Sequence, residues 1–410
     1  MVRQLIVFAT VCASASACFD RQVGSTSRAG SEGDASAGVP ADACVMSDLD
    51  PVLDAALGSA FPSNGVSLMA GVDPDHVTTL SGNCLISPHD GEIECDGLAI
   101  RLNQPGIASG IGYERIDPVA THCAGSEAAA PPIGVFSFGT LEVAPGARLY
   151  VIGEEFSPYA LALVAARSVR VHGRLEIFGW AGGFGADEAY DYRPEGAGPS
   201  PGAPADGESR AGATGGGAAT PGGVGGSSCA LAPQLPAQYE PLCGGSTGGM
   251  VGNDYGPGYE SVIYGVGGEG GGALQISAME SIEVTGTGDC LVSADGREGD
   301  PFERGGVGGG AGGTIIIESP SVVVGGDCKV TANGGRGSDV AYNVGGRGGA
   351  GGTRDAPAQP GEEAPDDGNP STPEYGGGGG GAAGFIRVRA ASCDGDLAGF
   401  SPQVHCGLLP

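Results

Sequence analysis

Lysine is almost missing from this chain: the nineteen basic residues include Lys329 alone as lysine, and the arginines form no cluster. That excludes a nucleic-acid footprint and a polybasic membrane patch. It also removes the lysine that a phosphate-binding loop needs, because Lys329 follows a cysteine inside a repeat strand. Long apolar runs are missing too. The stretch over 5–13 falls well short of the roughly 18 to 20 residues that cross a bilayer, and no later stretch is longer. None of the twelve cysteines stands in a Cys-x-x-Cys, and His122 and His405 merely neighbour Cys123 and Cys406, so neither a metal site nor a cofactor is expected. Charged residues are only 16% of the chain, and the net charge of -29 serves mainly solubility.

What is present begins with an address. Arg3, the apolar run, and the small residues Ser14 to Ala17 ending at Cys18 read as a signal peptide over 1–17. Ala15, Ser16 and Ala17 before Cys18 resemble a lipobox with Ala15 in place of the usual leucine, so lipidation of Cys18 is expected. Plain cleavage after Ala17 is the alternative. Residues 18–43, rich in Gly, Ser, Ala and Asp, read as a flexible linker. Phe19 in the second mature position lacks the aspartate of an inner-membrane retention signal. The expected location is therefore the outer membrane or cell surface, or the medium if Cys18 carries no lipid.

Setting aside Cys12 and Cys18 leaves ten cysteines, an even number for an oxidising compartment. Spacing suggests the local pairs Cys84–Cys95, Cys229–Cys243 and Cys393–Cys406. Cys290 and Cys328 occupy equivalent places in two repeats, where stacked strands about 4.8 Å apart would admit a bridge. Two small buried hydrophobes is the other reading of that pair.

Glycine supplies 82 of 410 residues, far above the usual ~7%. The informative pattern within it is a repeat. Gly272-Ala-Leu-Gln-Ile-Ser-Ala with Ser281-Ile-Glu-Val is echoed by Gly313-Thr-Ile-Ile-Ile-Glu-Ser and Ser321-Val-Val-Val. Both copies close alike, Gly288-Asp-Cys-Leu-Val-Ser-Ala-Asp-Gly296 against Gly326-Asp-Cys-Lys-Val-Thr-Ala-Asn-Gly334. Looser copies span 139–179, and 384–390 is a truncated one. Short β-branched strands punctuated by glycine predict an all-β fold, a parallel β-solenoid over 135–410. In it Leu274, Ile276, Ile282 and Val284 would stack on Ile315, Ile317, Val322 and Val324. Inserts at about 180–271 and 335–383, packed with Gly, Pro, Ala and Asp, read as extended or disordered loops. Runs such as 376–381 have a second option, packing as polyproline-II-like strands when held at both ends. Residues 44–134 have ordinary composition, with a predicted helix over 51–61 and a hairpin pairing Leu85-Ile86 with Glu92-Ile93, and read as an N-terminal cap.

Chemistry-bearing spellings are weak. Gly265-Val-Gly-Gly-Glu-Gly270 has the dinucleotide-binding spacing, but a strand follows where a helix is needed. Gly244-Gly-Ser246-Thr-Gly248 spells a nucleophile elbow with no strand before it or helix after it. The paired acids Glu362-Glu363 and Asp366-Asp367 lie in a proline-rich stretch, and His172 has no nameable partner. Asp187, Glu188 and Asp191, or Asp295 with Asp300, offer at most weak calcium ligation. No catalytic residue is expected.

Together, the lipobox-like Cys18 and repeats such as Gly312-Gly-Thr-Ile-Ile-Ile317 resemble the glycine-rich, lipobox-bearing surface proteins of myxobacteria and related Gram-negative bacteria. The resemblance covers roughly 140–390 and implies an envelope address and a β-helix-like architecture. The expected function is a non-enzymatic structural or adhesive surface module, tied to the membrane by its lipid and facing glycans or matrix. The alternative is a carbohydrate-active or glycan-binding β-helix protein, with Tyr150, Phe178 and Trp180 as its aromatic candidates.

Overall fold

The computed structural model describes residues 61–118, 120–123, 128–151, 159–179, 199–203, 205–206, 213–226, 232, 234, 241–253, 262–300, 305–340, 347–353, 355–363, 376–395, 397–402 and 404–407. The chain divides into two units, Met1–Gly58 and Ser59–Pro410. The first unit, and with it the body of the expected helix, lies outside the described residues.

The described chain is all-β, as the alternating patterns predict; its one helical turn among the described residues is Leu397–Gly399. From residue 133 onward the chain enters three large sheets in a fixed order. Ile133–Phe138 lies in the first sheet, Thr140–Val143 in the second and Arg148–Val151 in the third. Ala160–Ala165, Ser168–Val171 and Arg174–Ile177 repeat the order, as do Ala273–Ala278, Ser281–Gly286 and Leu291–Ser293. Thr314–Glu318, Ser321–Gly326 and Lys329–Thr331 follow, then Phe385–Arg389, Ser392–Gly395 and Phe400–Ser401. Each pass adds one parallel strand to each sheet. The register is the one the repeat implies: Leu274 pairs with Ile315, Ile276 with Ile317, Ile282 with Val322 and Val284 with Val324. Because strand side chains alternate between faces, these residues all point to one side, where they are buried in a single apolar core.

The first and third sheets are mixed. Strands Ile111–Ile116 and Gly106–Ala108 extend the first antiparallel, and Ile93–Cys95 and Leu98–Arg101 extend the third. The expected hairpin is present one residue shifted, with Leu85 opposite Glu94 and Ile86 opposite Ile93. Arg101, on the last strand of the third sheet, is fully buried. Its guanidinium donates to the carbonyls of Gly91, Leu102 and Gly106 and lies 5.1 Å from the Tyr113 ring centre. Burial pulls its pKa below the ordinary guanidinium value and pushes the Tyr113 phenol above its own.

The first sheet is covered on both faces. Ile133–Phe138, Ala160–Ala165 and Ala273–Ala278 are buried at every position. On the outward face Val66 and Leu242 pack against Val135, Ala162 and Ile316. A polar knot holds the segment around residue 63 there. The Glu318 carboxylate, with no exposed surface, accepts from Ser63 N at 3.0 Å, Gln275 Nε2 at 3.1 Å, Ser277 Oγ at 3.2 Å and Arg389 Nη1 at 2.8 Å. Sequence reading missed this knot, because polar residues at alternate strand positions spell a solvent face.

The glycine-rich inserts differ most from expectation. Where described, they are not loose loops: they take the second option, as parallel and antiparallel extended segments bonded side by side. Residues 305–313 bond to six neighbours at once. Gly309 N donates to Gly379 O, Gly308 N to Gly249 O and Gly310 N to Arg297 O, while Gly216 N, Gly268 N and Gly335 N donate to Gly309, Gly308 and Gly310. The pattern repeats three residues on: Gly312 to Ala382, Ala311 to Ser246, Gly313 to Ala294. Residues 376–384 are surrounded in the same way. Gly377, Gly378 and Gly379 donate in turn to Glu362, Ser338 and Ala213, and Gly380, Gly381 and Ala382 to Gln359, Gly335 and Gly216. A period of three is the signature of the polyproline-II conformation, whose N–H and C=O groups leave the axis in three directions. A β-strand bonds in only two.

This packing explains the composition. A Cβ on Gly310 would stand 1.9 Å from Glu269 O, one on Gly381 1.9 Å from Gly310 O, and one on Gly309 2.2 Å from Gly335 O. Glycine is required there for space. The bundle is also continuous with the sheets: 265–272, 305–313 and 376–384 run into successive strands of the first sheet, and 294–299 and 332–338 leave successive strands of the third.

Candidate functional site

The outward face of the third sheet carries rows of aromatic and polar side chains. Strand pairing aligns Leu85, Tyr150, Glu176, Ser293 and Thr331 in one row across the sheet, and Asn83, Arg148, Arg174, Leu291 and Lys329 in the next. Phe178, one residue past its strand, stacks on Tyr150 with ring centres 6.4 Å apart and planes 19° apart. The Arg297 guanidinium lies 5.0 Å from the Phe178 ring centre and is held by Glu269 at 3.3 Å. Arg174 forks onto Glu176 at 2.8 and 3.2 Å, and that hydrogen bond holds the guanidinium above its ordinary value.

Beside the rings, where the third sheet passes into the glycine bundle, Asp295 is the centre of a hydroxyl and amide patch. Its carboxylate accepts from Thr331 Oγ1 at 2.9 Å and from the Asn333 backbone N–H; Asn333 in turn accepts from Ser401 Oγ. Burial pushes the Asp295 pKa up, against the opposing pull of its bonds to Asn333, Ser293 and Thr331. Tyr150 and Phe178 are thus brought together; Trp180 lies outside the described residues.

The remaining candidates fall as follows. Cys84 is bonded to Cys95, and Cys290 to Cys328, each just before one of two paired parallel strands, with Cα atoms 4.6 Å apart. Cys243 is a correction: it is bonded to Cys123, with Cα atoms 6.1 Å apart, not to Cys229. The reason is topological, since the segment after Leu242 lies on the first sheet's outward side, near the 121–130 turn, a proximity that chain spacing does not encode. Cys229 and Cys18 lie outside the described residues. Cys393 is disulfide-bonded, while the side chain of its expected partner Cys406 is outside the described set. His172 Nδ1 lies 2.6 Å from the Thr285 carbonyl.

Both spelled motifs dissolve into the bundle. Ser246 is fully buried and its Oγ accepts from Ser200 N at 2.8 Å, so it faces no substrate space. Gly267, Gly268 and Gly270 have no room for a Cβ and lead into a strand. Glu362 and Glu363 are both exposed; Asp187, Glu188, Asp191, Asp366 and Asp367 lie outside the described residues. Among the described residues no group of three or more His, Cys, Asp or Glu is placed to hold a metal, and no helix is long and apolar enough to cross a membrane. Comparison with protein-family models, curated proteins and solved structures finds no match to this chain.

Proposed function

We propose that the chain is a non-enzymatic, lipid-anchored surface module of the cell envelope, structural or adhesive, built as a parallel β-solenoid with a glycine bundle at its side. The fixed order of sheet visits and the unbroken register from Tyr150 to Thr331 support the coil. The antiparallel strands between 93 and 116 serve as its N-terminal cap, covering apolar side chains that an open rung would expose.

One observation carries the mechanical reading. Inserts that in an enzyme would arch over a cleft are here packed so closely that at Gly308 and Gly378 no methyl group fits: a Cβ would meet a carbonyl at 1.9 and 1.8 Å. The Cys290–Cys328 and Cys123–Cys243 bonds tie rung to rung and insert to body. Such a body transmits load through backbone hydrogen bonds and resists local opening. The anchor is the lipid on Cys18, with 18–43 as the tether and the outer membrane or cell surface as the location.

The test is the mass of the N-terminal peptide recovered from membrane fractions, with Cys18→Ser alongside. A diacylglyceryl-modified Cys18, lost in the variant together with membrane retention, is the expected result. An unmodified N-terminus found only in the culture fluid overturns the anchored reading.

A further inference from the structure

We infer that the outward face of the third sheet binds a neutral polysaccharide, laid against the Tyr150–Phe178 pair. This rests on the adhesive branch of the proposed function and supplies its ligand class. A pyranose ring presents one face of C–H groups, which packs on the electron-rich face of an aromatic ring, and a rim of hydroxyls, which needs donors and acceptors of both kinds nearby. Both are present here on consecutive rungs. The two rings stand nearly parallel and each is partly exposed; the Arg297 guanidinium lies over Phe178, so Tyr150 offers the freer ring and Arg297 a donor beside it. Glu176 and Arg174 flank them on one side; Asp295 and Asn333 continue the face on the other.

Charge selects among glycans. The chain carries -29 overall, yet this face is close to balanced: Arg148, Arg174, Arg297 and Lys329 stand against Glu176, Glu269 and Asp295. Arg174 and Arg297 are already held by carboxylates, so they are positioned to donate to hydroxyls rather than to capture an anion. A polyanion would also approach against the field of the whole molecule. Side chains fixed by sheet register and by mutual ion pairs lose little freedom on binding, which favours capture by a shallow surface.

The experiment is affinity electrophoresis of the folded chain through gels containing dextran, mannan, hydroxyethyl cellulose or alginate. At least one neutral polymer should retard the wild type, and Tyr150→Ala and Phe178→Ala should each weaken retardation at least tenfold. Arg170→Ala, on the exposed face of the second sheet, should leave it unchanged. Circular dichroism and melting of each variant establish that it is folded, and Tyr150→Phe, which keeps the ring, should retain binding if Tyr150→Ala is destabilised. Retardation by alginate alone, by no polymer, or undiminished in both alanine variants overturns the inference. The Cys18 measurement is independent: a lipidated chain that ignores every polymer keeps its surface role and loses this ligand, and an unlipidated chain that binds does the reverse.

Discussion

The side-chain core and the glycine bundle hold the same chain together by opposite means. In the core, sheets face one another across about 10 Å filled by Ile, Leu and Val, and stability comes from apolar area withdrawn from water. In the bundle most residues are glycine, with only small clusters of side chains such as Ala311, Ala382 and Val307 between the segments; the rows close to hydrogen-bonding distance, and each interior segment satisfies its backbone in three directions instead of two. The core therefore tolerates changes of shape and is weakened by loss of volume. The bundle has little side-chain volume to lose and is weakened by a gain wherever a glycine's added Cβ would meet backbone.

The largest expected effect tests the core half of that contrast. Ile317 is fully buried between Ile276 and Val388 on the adjoining strands. Ile317→Ala should destabilise by about 2 to 5 kcal/mol in denaturant unfolding, the range for a truncated core aliphatic. A loss below about 1 kcal/mol would mean that these adjoining strands do not share one core.

The next effect adds one methyl instead of removing several. Gly309→Ala places a Cβ 2.2 Å from Gly335 O, with backbone on every side and no flexible side chain to yield. It should cost about 1 to 3 kcal/mol, or more where rows are forced apart. Gly325→Ala is the matched control: a Cβ there meets nothing within 4 Å, so the expected change lies between zero and a gain of about 1 kcal/mol from a stiffer unfolded chain. Equal stability of the two variants would show that the bundle is loosely packed, and the contrast with the core would fall.

The two regions also differ in how legible they were. Strand positions and even pairing register could be read because β-branched residues at every second place record which face is inside; Ile276 beside Ile317 followed from the repeat alone. Glycine records nothing of the kind. A run such as 376–381 has no side-chain period from which its neighbours could be read, and the close approach of Gly381 to Gly310 joins residues far apart in sequence. The same blindness hid the Cys123–Cys243 bond, fixed by where the 241–250 segment lies and not by spacing. On the candidate site, Tyr150 and Phe178 were legible as two of three aromatic candidates, and Asp295 only as a possible calcium ligand; the contacts of Arg297 with Phe178 and of Asp295 with Thr331 appear only when the segment leaving Leu291–Ser293 is placed.

The smallest expected effect lies at the junction of the two regions, where the strand Leu291–Ser293 gives way to the glycine segment and Asp295 ties its row to Thr331 and Asn333. Burial raises the pKa of this carboxyl above its usual ~3.9, so the folded chain holds the proton more tightly than the unfolded chain does. The sign follows from linkage: stability from this group is greatest at acid pH, below the unfolded value, and falls as pH rises through the raised folded value. Asp295→Asn keeps a polar group of similar shape and has no proton to lose, so it should remove that fall. Urea midpoints of wild type and variant measured from about pH 3 upward should therefore shift relative to one another, with the variant gaining as pH rises. Parallel curves would show that the patch is open enough to water for the carboxylate to ionise freely, which would place the boundary of the dry glycine packing beyond Asp295 rather than at it.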